Sequence, residues 1–594
     1  GSREFEKAME VHAVAEKIVL ETFGRESDLY GKVCFNQGWI LQSKGDYPGA
    51  EKWYLESRAI REKILGKEHP DYASSLHHLG AIYYLMGNNY DKAEQNYLQA
   101  KMIRERTLGK EDVEYAVTLN ALGHLFYHTG NYKLAEEYYH GAMVIREKKL
   151  GKENIIYSGS LNNLGNVYGA MRQYDKAESF YKANISIIEK TKGKNTIWYA
   201  GGILNLANIY LEMKDYGKAE SLLLESKNIL DTLLQTDHPN YMSCMETLGV
   251  FYFETGKYEL SETYLLKAKS LRGKFFGKEH LSYEMSLADL SVLYWKMGRQ
   301  ADAVAHFSET AVRQRAHLSN AARHFSESEV VSYLSIFRSE IDQLFSFATV
   351  HSAAFPLIAD ACYDNALFHR GYLLNTAYLI RNSPESELAE KLNQLKSCRQ
   401  LLSVEYSKPV SEQDHTRVLE LEEQTNAIEK DINRSFAGYG DAIRQVSWQE
   451  VRSALKPGEA ALEFIHFNYY TPDLTDSVMY AALLLKPGME HPLFIPLFEE
   501  KQLRALYPTS EASLNRDQVN ELYGIDPSVG KNALYQLLWA PLETYLSGLR
   551  RVYYSPGGLL HRLNLAALPF DAQTILSDRY ELVALGSTRY LVLG

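Results

Sequence analysis

Cutting a peptide bond takes a nucleophile with a base beside it. The residues here that invite those roles are Cys34, Cys244, Cys362, Cys398 and His561. A thiol attacks as thiolate, which needs an imidazole or another cation within reach. The four cysteines form no C-x-x-C pair, and Cys362, in Ala361-Cys362-Tyr363-Asp364, falls on an apolar helical stripe. They read as small buried residues of a reducing, cytoplasmic protein. His561 lies in a strand-loop segment with no thiol near it in sequence, so a structural or pocket-lining role is expected. No catalytic, cofactor-binding or metal-ligating residue is assigned. A second chemistry is amide recognition. Asn120, Asn162, Asn163, Asn166, Asn205 and Asn208 recur at related positions, and a side-chain amide can pair with both the N–H and C=O of an extended peptide. Asn120, Asn162 and Asn205 are the candidate protein-binding residues; the same amides are equally able to cap or bridge neighbouring helices.

A 42-residue period positions them. A block L-G/A-x-x-Y/F followed by G-x-Y-x-x-A recurs with its small residue at Gly38, Gly80, Gly123, Gly165, Ala207, Gly249 and Ser291. A second marker recurs between blocks, as in Leu65-Gly66-Lys67-Glu68 and Leu150-Gly151-Lys152-Glu153. Two markers per period predict two helices per unit, stacked as a solenoid. The small residue lets the second helix cross closely, and Gly87, Gly130, Gly256 and Gly298 end the first helix. One step is 43 residues, the extra one falling in Asn88-Asn89-Tyr90. The segment from Lys7 to Gly24 aligns with a second helix, so the sequence is expected to start inside a longer protein.

The 594 residues exceed one hydrophobic core, and a net charge of -11 disfavours a large nucleic-acid footprint. No direct nucleic-acid or membrane partner is expected, since no apolar run reaches the ~20 residues of a bilayer span. After Ser308 the period stops while helical patterning continues through 325–347, 355–380 and a charged hairpin over 388–404 and 419–436. At Pro457-Gly458 short apolar strands begin, near 460–467, 479–485, 493–497, 551–556 and 580–584, with a helix expected near 532–549. Strand, strand, helix, strand argues for an α/β sheet.

The signature in Leu79-Gly80-Ala81-Ile82-Tyr83-Tyr84 with Tyr90-Asp91-Lys92-Ala93, and in Leu164-Gly165-Asn166-Val167-Tyr168 with Tyr174-Asp175-Lys176-Ala177, resembles the tetratricopeptide repeat in its 42-residue form. That resemblance implies a right-handed superhelix whose concave face holds a peptide or a neighbouring domain. The order Trp448-Gln449-Glu450-Val451, Leu455-Lys456-Pro457-Gly458-Glu459-Ala460, Glu463-Phe464, Tyr553 to Pro569 and Leu585-Gly586-Ser587-Thr588-Arg589 resembles a CHAT domain, caspase-like and related to separase. It implies a cysteine endopeptidase acting on a protein substrate, with the repeats as sensor, in bacterial antiphage defence. Family members carry a His-Cys dyad beyond the S-T-R segment, in motifs like A-T-H-G and S-A-C-E, and neither occurs here. The expectation is therefore a mostly α chain: solenoid over 3–305, helical connector over 306–445, and the front of an incomplete caspase-like domain over 446–594, inactive alone. Expected partners are a protein substrate or regulatory protein on the repeats and a separate C-terminal protease fragment. The alternative is a non-enzymatic scaffold or pseudoprotease.

Overall fold

The computed structural model describes residues 2–593 apart from 88, 234–237, 323–324, 383–385, 409–411, 436–444, 507–522, 524–532 and 571–573. The extra residue expected in the 43-residue step falls on Asn88, outside the described residues. The chain divides into two compact units, Gly1–Ser286 with Ser328–Ser335, and Leu287–Glu327 with Ile336–Gly594.

In the first unit, first helices run Asp28–Lys44, Pro70–Leu85, Val113–His128, Ile155–Ala170, Ile197–Glu212 and Pro239–Glu254. They alternate with second helices Ser2–Phe23, Tyr47–Leu65, Tyr90–Leu108, Tyr132–Leu150, Tyr174–Lys192, Tyr216–Leu233 and Tyr258–Phe275. The expected close crossing is present. A Cβ placed on Gly80, Gly123 or Gly165 would sit 2.8, 2.6 or 2.7 Å from the ring of Tyr97, Tyr139 or Tyr181 on the next helix. Both glycine markers act as helix stops in the left-handed region, for example Gly87 at φ 72° and Gly66 at φ 82°. At the position of Gly87 in two later repeats stand Arg172 at φ 57° and Lys214 at φ 59°. First helices open on side-chain caps, among them Ser27, Asp112 and Thr196. In His69-Pro70 and His238-Pro239 the imidazole Nδ1 accepts from the backbone N–H of Asp71 and Asn240.

Consecutive repeats are joined by a rung that the period analysis missed. Arg61, Arg104 and Arg146 are buried, and each donates to a hydroxyl fourteen residues on, Ser75, Thr118 and Ser160, at 3.0, 2.8 and 2.8 Å. Arg272 repeats the bond on Ser286 at 3.0 Å and pairs with Glu246. Arg61, Arg104 and Arg272 also reach the backbone carbonyls of Asp71, Glu114 and Ser282. At the two intervening positions both partners change together: Ile188 with Gly202, and Leu230 with Cys244. There the polar rung gives way to one extended apolar cluster that includes Ile188, Leu230 and Cys244.

In the second unit, helices Arg338–His351 and Leu357–Asn382 precede a helical hairpin, Ser386–Tyr406 and His415–Ser435, closed around Leu395 and Ile432. Phe436, the expected hairpin end, lies outside the described residues. The expected strands form β1 (Glu459–Tyr470), β2 (Leu474–Leu485), β3 (Leu493–Glu499), β4 (Arg551–Ser555) and β5 (Glu581–Ala584), in the sheet order β3-β2-β1-β4-β5. β1 pairs antiparallel with β2 and parallel with β4, and β4 runs parallel to β5, so this is a small mixed sheet. The helix expected over 532–549 is two short helices, Ala533–Leu538 and Ala540–Leu546. Pro541 opens the second, Asn532 lies outside the described residues, and Trp539 between them is fully buried in the core under the sheet.

Candidate functional site

First helices of successive repeats touch one another, Pro70–Leu85 with Val113–His128, and Ile155–Ala170 with Ile197–Glu212 and it in turn with Pro239–Glu254. That places first helices on the inner, shorter circumference of the superhelix. Asn120, Asn162 and Asn205 lie on them, half-buried. They form a ladder between repeats: Asn163 Nδ2 donates to Asn120 Oδ1 and Asn205 Nδ2 to Asn162 Oδ1, each at 2.9 Å. Arg146 also donates to Asn120 Oδ1, at 3.1 Å. Oriented in this way, the amides hold each other and keep a partly exposed edge.

Beside the ladder lies an aromatic and imidazole patch. His78 stacks on Tyr54 at 5.3 Å, His124 meets Tyr139 edge-on at 5.3 Å, and His128 meets Tyr84 at 5.5 Å. Burial lowers the imidazoles of His78 and His124 to about 4, with neighbouring cationic or imidazole groups adding to this, so both are neutral at pH 7. Tyr84 and Tyr127, with phenols raised by burial, complete the surface.

In the second unit the loops after β4 and β5 converge on the fully buried Glu463 of β1. Glu463 accepts from Ser587 Oγ at 3.0 Å, Thr588 Oγ1 at 2.7 Å and the Thr588 backbone N–H, and from the Arg370 guanidinium at 3.1 Å. Arg370 also donates to the Ser555 carbonyl and hydroxyl at 2.8 and 2.6 Å, and Ser555 Oγ donates to Gly586 O at 2.9 Å. Tyr363 closes the network on Thr588 at 3.0 Å. Gly557 admits this packing, because a Cβ there would lie 2.3 Å from Arg370 and 2.4 Å from Phe464 O. His561, expected in a strand-loop segment, occupies the 3₁₀ turn Gly558–Arg562 that follows β4 and is exposed.

Cys34, Cys244 and Cys362 are fully buried, and burial raises the first two thiols to about 12 and the third well above its ordinary value. Cys398 differs from the buried role expected for it: it is half-buried on the helical hairpin. Among the described residues no group of histidine, cysteine and carboxylate side chains has metal-holding geometry, and no helix is long and apolar enough to cross a membrane.

The paired helices, the glycine crossings and the 42-residue step define a helical-repeat superhelix of the kind that binds proteins. The repeats are tetratricopeptide repeats: the family model matches residues 34–106, 88–148, 114–190, 156–232 and 241–311. Similar solved structures include BtubC from P. vanneervenii, at 20% identity over 39% of this chain and 92% of that one, with a TM-score of 0.32. Aspartyl phosphate phosphatase F from Bacillus subtilis is similar at 14% identity over 50% of this chain and 73% of that one, with a TM-score of 0.39. No curated protein matches the chain.

Proposed function

We propose that the repeats bind a protein partner along the first helices, and that the sheet-bearing unit is the front part of a CHAT-type, caspase-like cysteine endopeptidase regulated through that binding, in prokaryotic antiphage defence. The observation that carries this reading is the Glu463 hub. In open sheets with parallel strands, ligands bind outside the carboxyl ends of the strands, and Glu463, within β1, joins Arg370 and Ser555 in organising the loops at that end of β4 and β5. Substrate loops on such a frame are positioned by buried charge-assisted hydrogen bonds. On the solenoid, the half-buried edges of Asn120, Asn162 and Asn205 supply paired donors and acceptors for a partner's backbone.

The burial of Cys362 favours a second reading, a non-enzymatic scaffold, because a protonated thiol inside a helix attacks nothing. Co-expression with operon neighbours, followed by mass spectrometry of new protein termini, separates the two. New termini that are absent when this chain is not expressed support the endopeptidase. A partner retained by the repeats with no new termini supports the scaffold. Wild-type partner capture by folded Asn120→Ala, Asn162→Ala and Asn205→Ala chains would move the binding site off this face.

A further inference from the structure

Residues Ser328–Ser335 pack with the tetratricopeptide repeats although the chain on both sides of them belongs to the other unit. They lie in the helix Glu327–Ile336, which presents two different faces. Val330 and Tyr333, one helical turn apart, are 5% and 2% exposed, whereas Val331 is 51% exposed. Tyr333 meets the ring of Tyr90 edge-on at 6.2 Å, and the two phenols hydrogen-bond. Tyr333 thus engages an early repeat, at the start of the second helix Tyr90–Leu108. Tyr84, beside Tyr90 at 6.3 Å, continues the aromatic surface toward His128.

Resting on the reading of the repeats as a protein-binding module, we propose that Ser328–Ser335 is an internal ligand of the repeats. The partner that uses this surface is then a protein segment of the same chemistry: a short helix offering a β-branched residue and, three residues on, a tyrosine. An amphipathic helix laid on a groove is read through anchors at this spacing. The phenol must be kept, because it satisfies Tyr90 in a place closed to water. Held in the same chain, the segment acts at an effective concentration on the order of mM, so a partner enters by outcompeting it.

The test uses the full chain and a fluorescein-labelled peptide of residues 325–337, read by fluorescence polarisation. The Val330→Ala/Tyr333→Ala chain should bind the peptide at least ~10-fold more tightly than wild type, because its internal competitor is weakened. Adding Tyr90→Ala should remove that gain, and a peptide carrying Tyr333→Ala should be inert. A double variant that melts like wild type yet binds no peptide overturns the proposal. Should the double variant not fold, amide exchange decides on the wild-type chain. Saturating peptide should speed exchange at residues 328–335, and unchanged exchange there overturns the proposal. Peptide failure combined with altered partner capture by Asn120→Ala refutes only this internal ligand. Loss of both refutes the protein-binding reading itself.

Discussion

Replacing Gly165 by leucine probes the helix crossing on which the array depends. A Cβ alone at this position would lie 2.7 Å from Tyr181 Cε1, 2.9 Å from Cδ1 and 3.0 Å from Cζ. Ordinary carbon contacts begin near ~3.5 Å, so relief requires a shift of several tenths of an ångström before the rest of leucine is placed. The ring is poorly able to yield: Tyr181 is 3% exposed and its hydroxyl donates to Asn166 Oδ1 at 2.5 Å. Overpacking of this kind costs about 1–3 kcal/mol, and the confined ring argues for the upper half of that range. Each repeat is held only by its neighbours, so the loss concentrates in residues 155–192 and spreads to adjoining repeats. In native-state hydrogen exchange a loss of ~2–3 kcal/mol is about a 30- to 150-fold drop in protection for amides that exchange through opening of that repeat. Gly159→Ala, in the same helix, is the control. No atom lies within 4 Å of the Cβ it would add, so it should raise protection slightly through lost unfolded-state entropy. Equal protection in the Gly165→Leu and wild-type chains across 155–192 would refute the steric account of the period.

Arg172→Gly and Lys214→Gly should each stabilise the repeats by up to ~1 kcal/mol, measured in urea melts, because both residues occupy a left-handed conformation that their Cβ disfavours. Arg370→Ala should destabilise the sheet unit by about 3–5 kcal/mol by leaving Glu463 buried without its cation, and Arg370→Met/Glu463→Leu should recover much of that; a single variant that melts like wild type would remove the hub from the account. Buried histidines and a buried carboxylate should answer acid oppositely. His78 and His124 are held near 4, so below pH 6.5 the unfolded repeats bind more protons than the folded ones, and the repeats lose at least ~1 kcal/mol per histidine by pH 4.5. Burial raises Asp342 to about 6, so from pH 4 to 6 the folded state binds the extra proton and this one carboxyl adds ~2 kcal/mol to the sheet unit between pH 7 and 4, opposing the loss at His369, which burial holds near 4. Region-resolved exchange at pH 7 and 5 checks both signs, with Asp342→Asn expected to flatten the second.

What was legible beforehand follows from the reach of each cause. A glycine facing a tyrosine ring is a local steric demand, repeated in successive early units, so the period exposed Gly38, Gly80, Gly123 and Gly165 directly. The strands of the sheet showed as short apolar runs for the same reason. The arginine rung was equally periodic but escaped notice, because arginine at a helix end reads as solvated unless its Ser/Thr partner fourteen residues on is sought at the same time. The asparagines were visible, but an amide's partner is not: Asn163 bonding Asn120 looks the same in sequence as Asn163 facing a ligand. Arg370 and Tyr333 gave no local sign. Their partners Ser555 and Tyr90 are far away in the chain, and an amphipathic helix does not announce which surface it will cover.

The alternation of polar and apolar rungs makes the repeats interchangeable in only part of the array. The units from Ser75 to Arg104 and from Thr118 to Arg146 present the same plug and the same socket, so excising or duplicating either leaves every guanidinium opposite a hydroxyl. A cut that joins Arg146 to the unit opening on Gly202, or Leu230 to one opening on Ser160, seats a charge against an apolar wall or strands a hydroxyl. Only the units that switch the rung, Ser160 to Ile188 and Cys244 to Arg272, are therefore locked in place, while a unit with like rungs at both ends can be gained or lost.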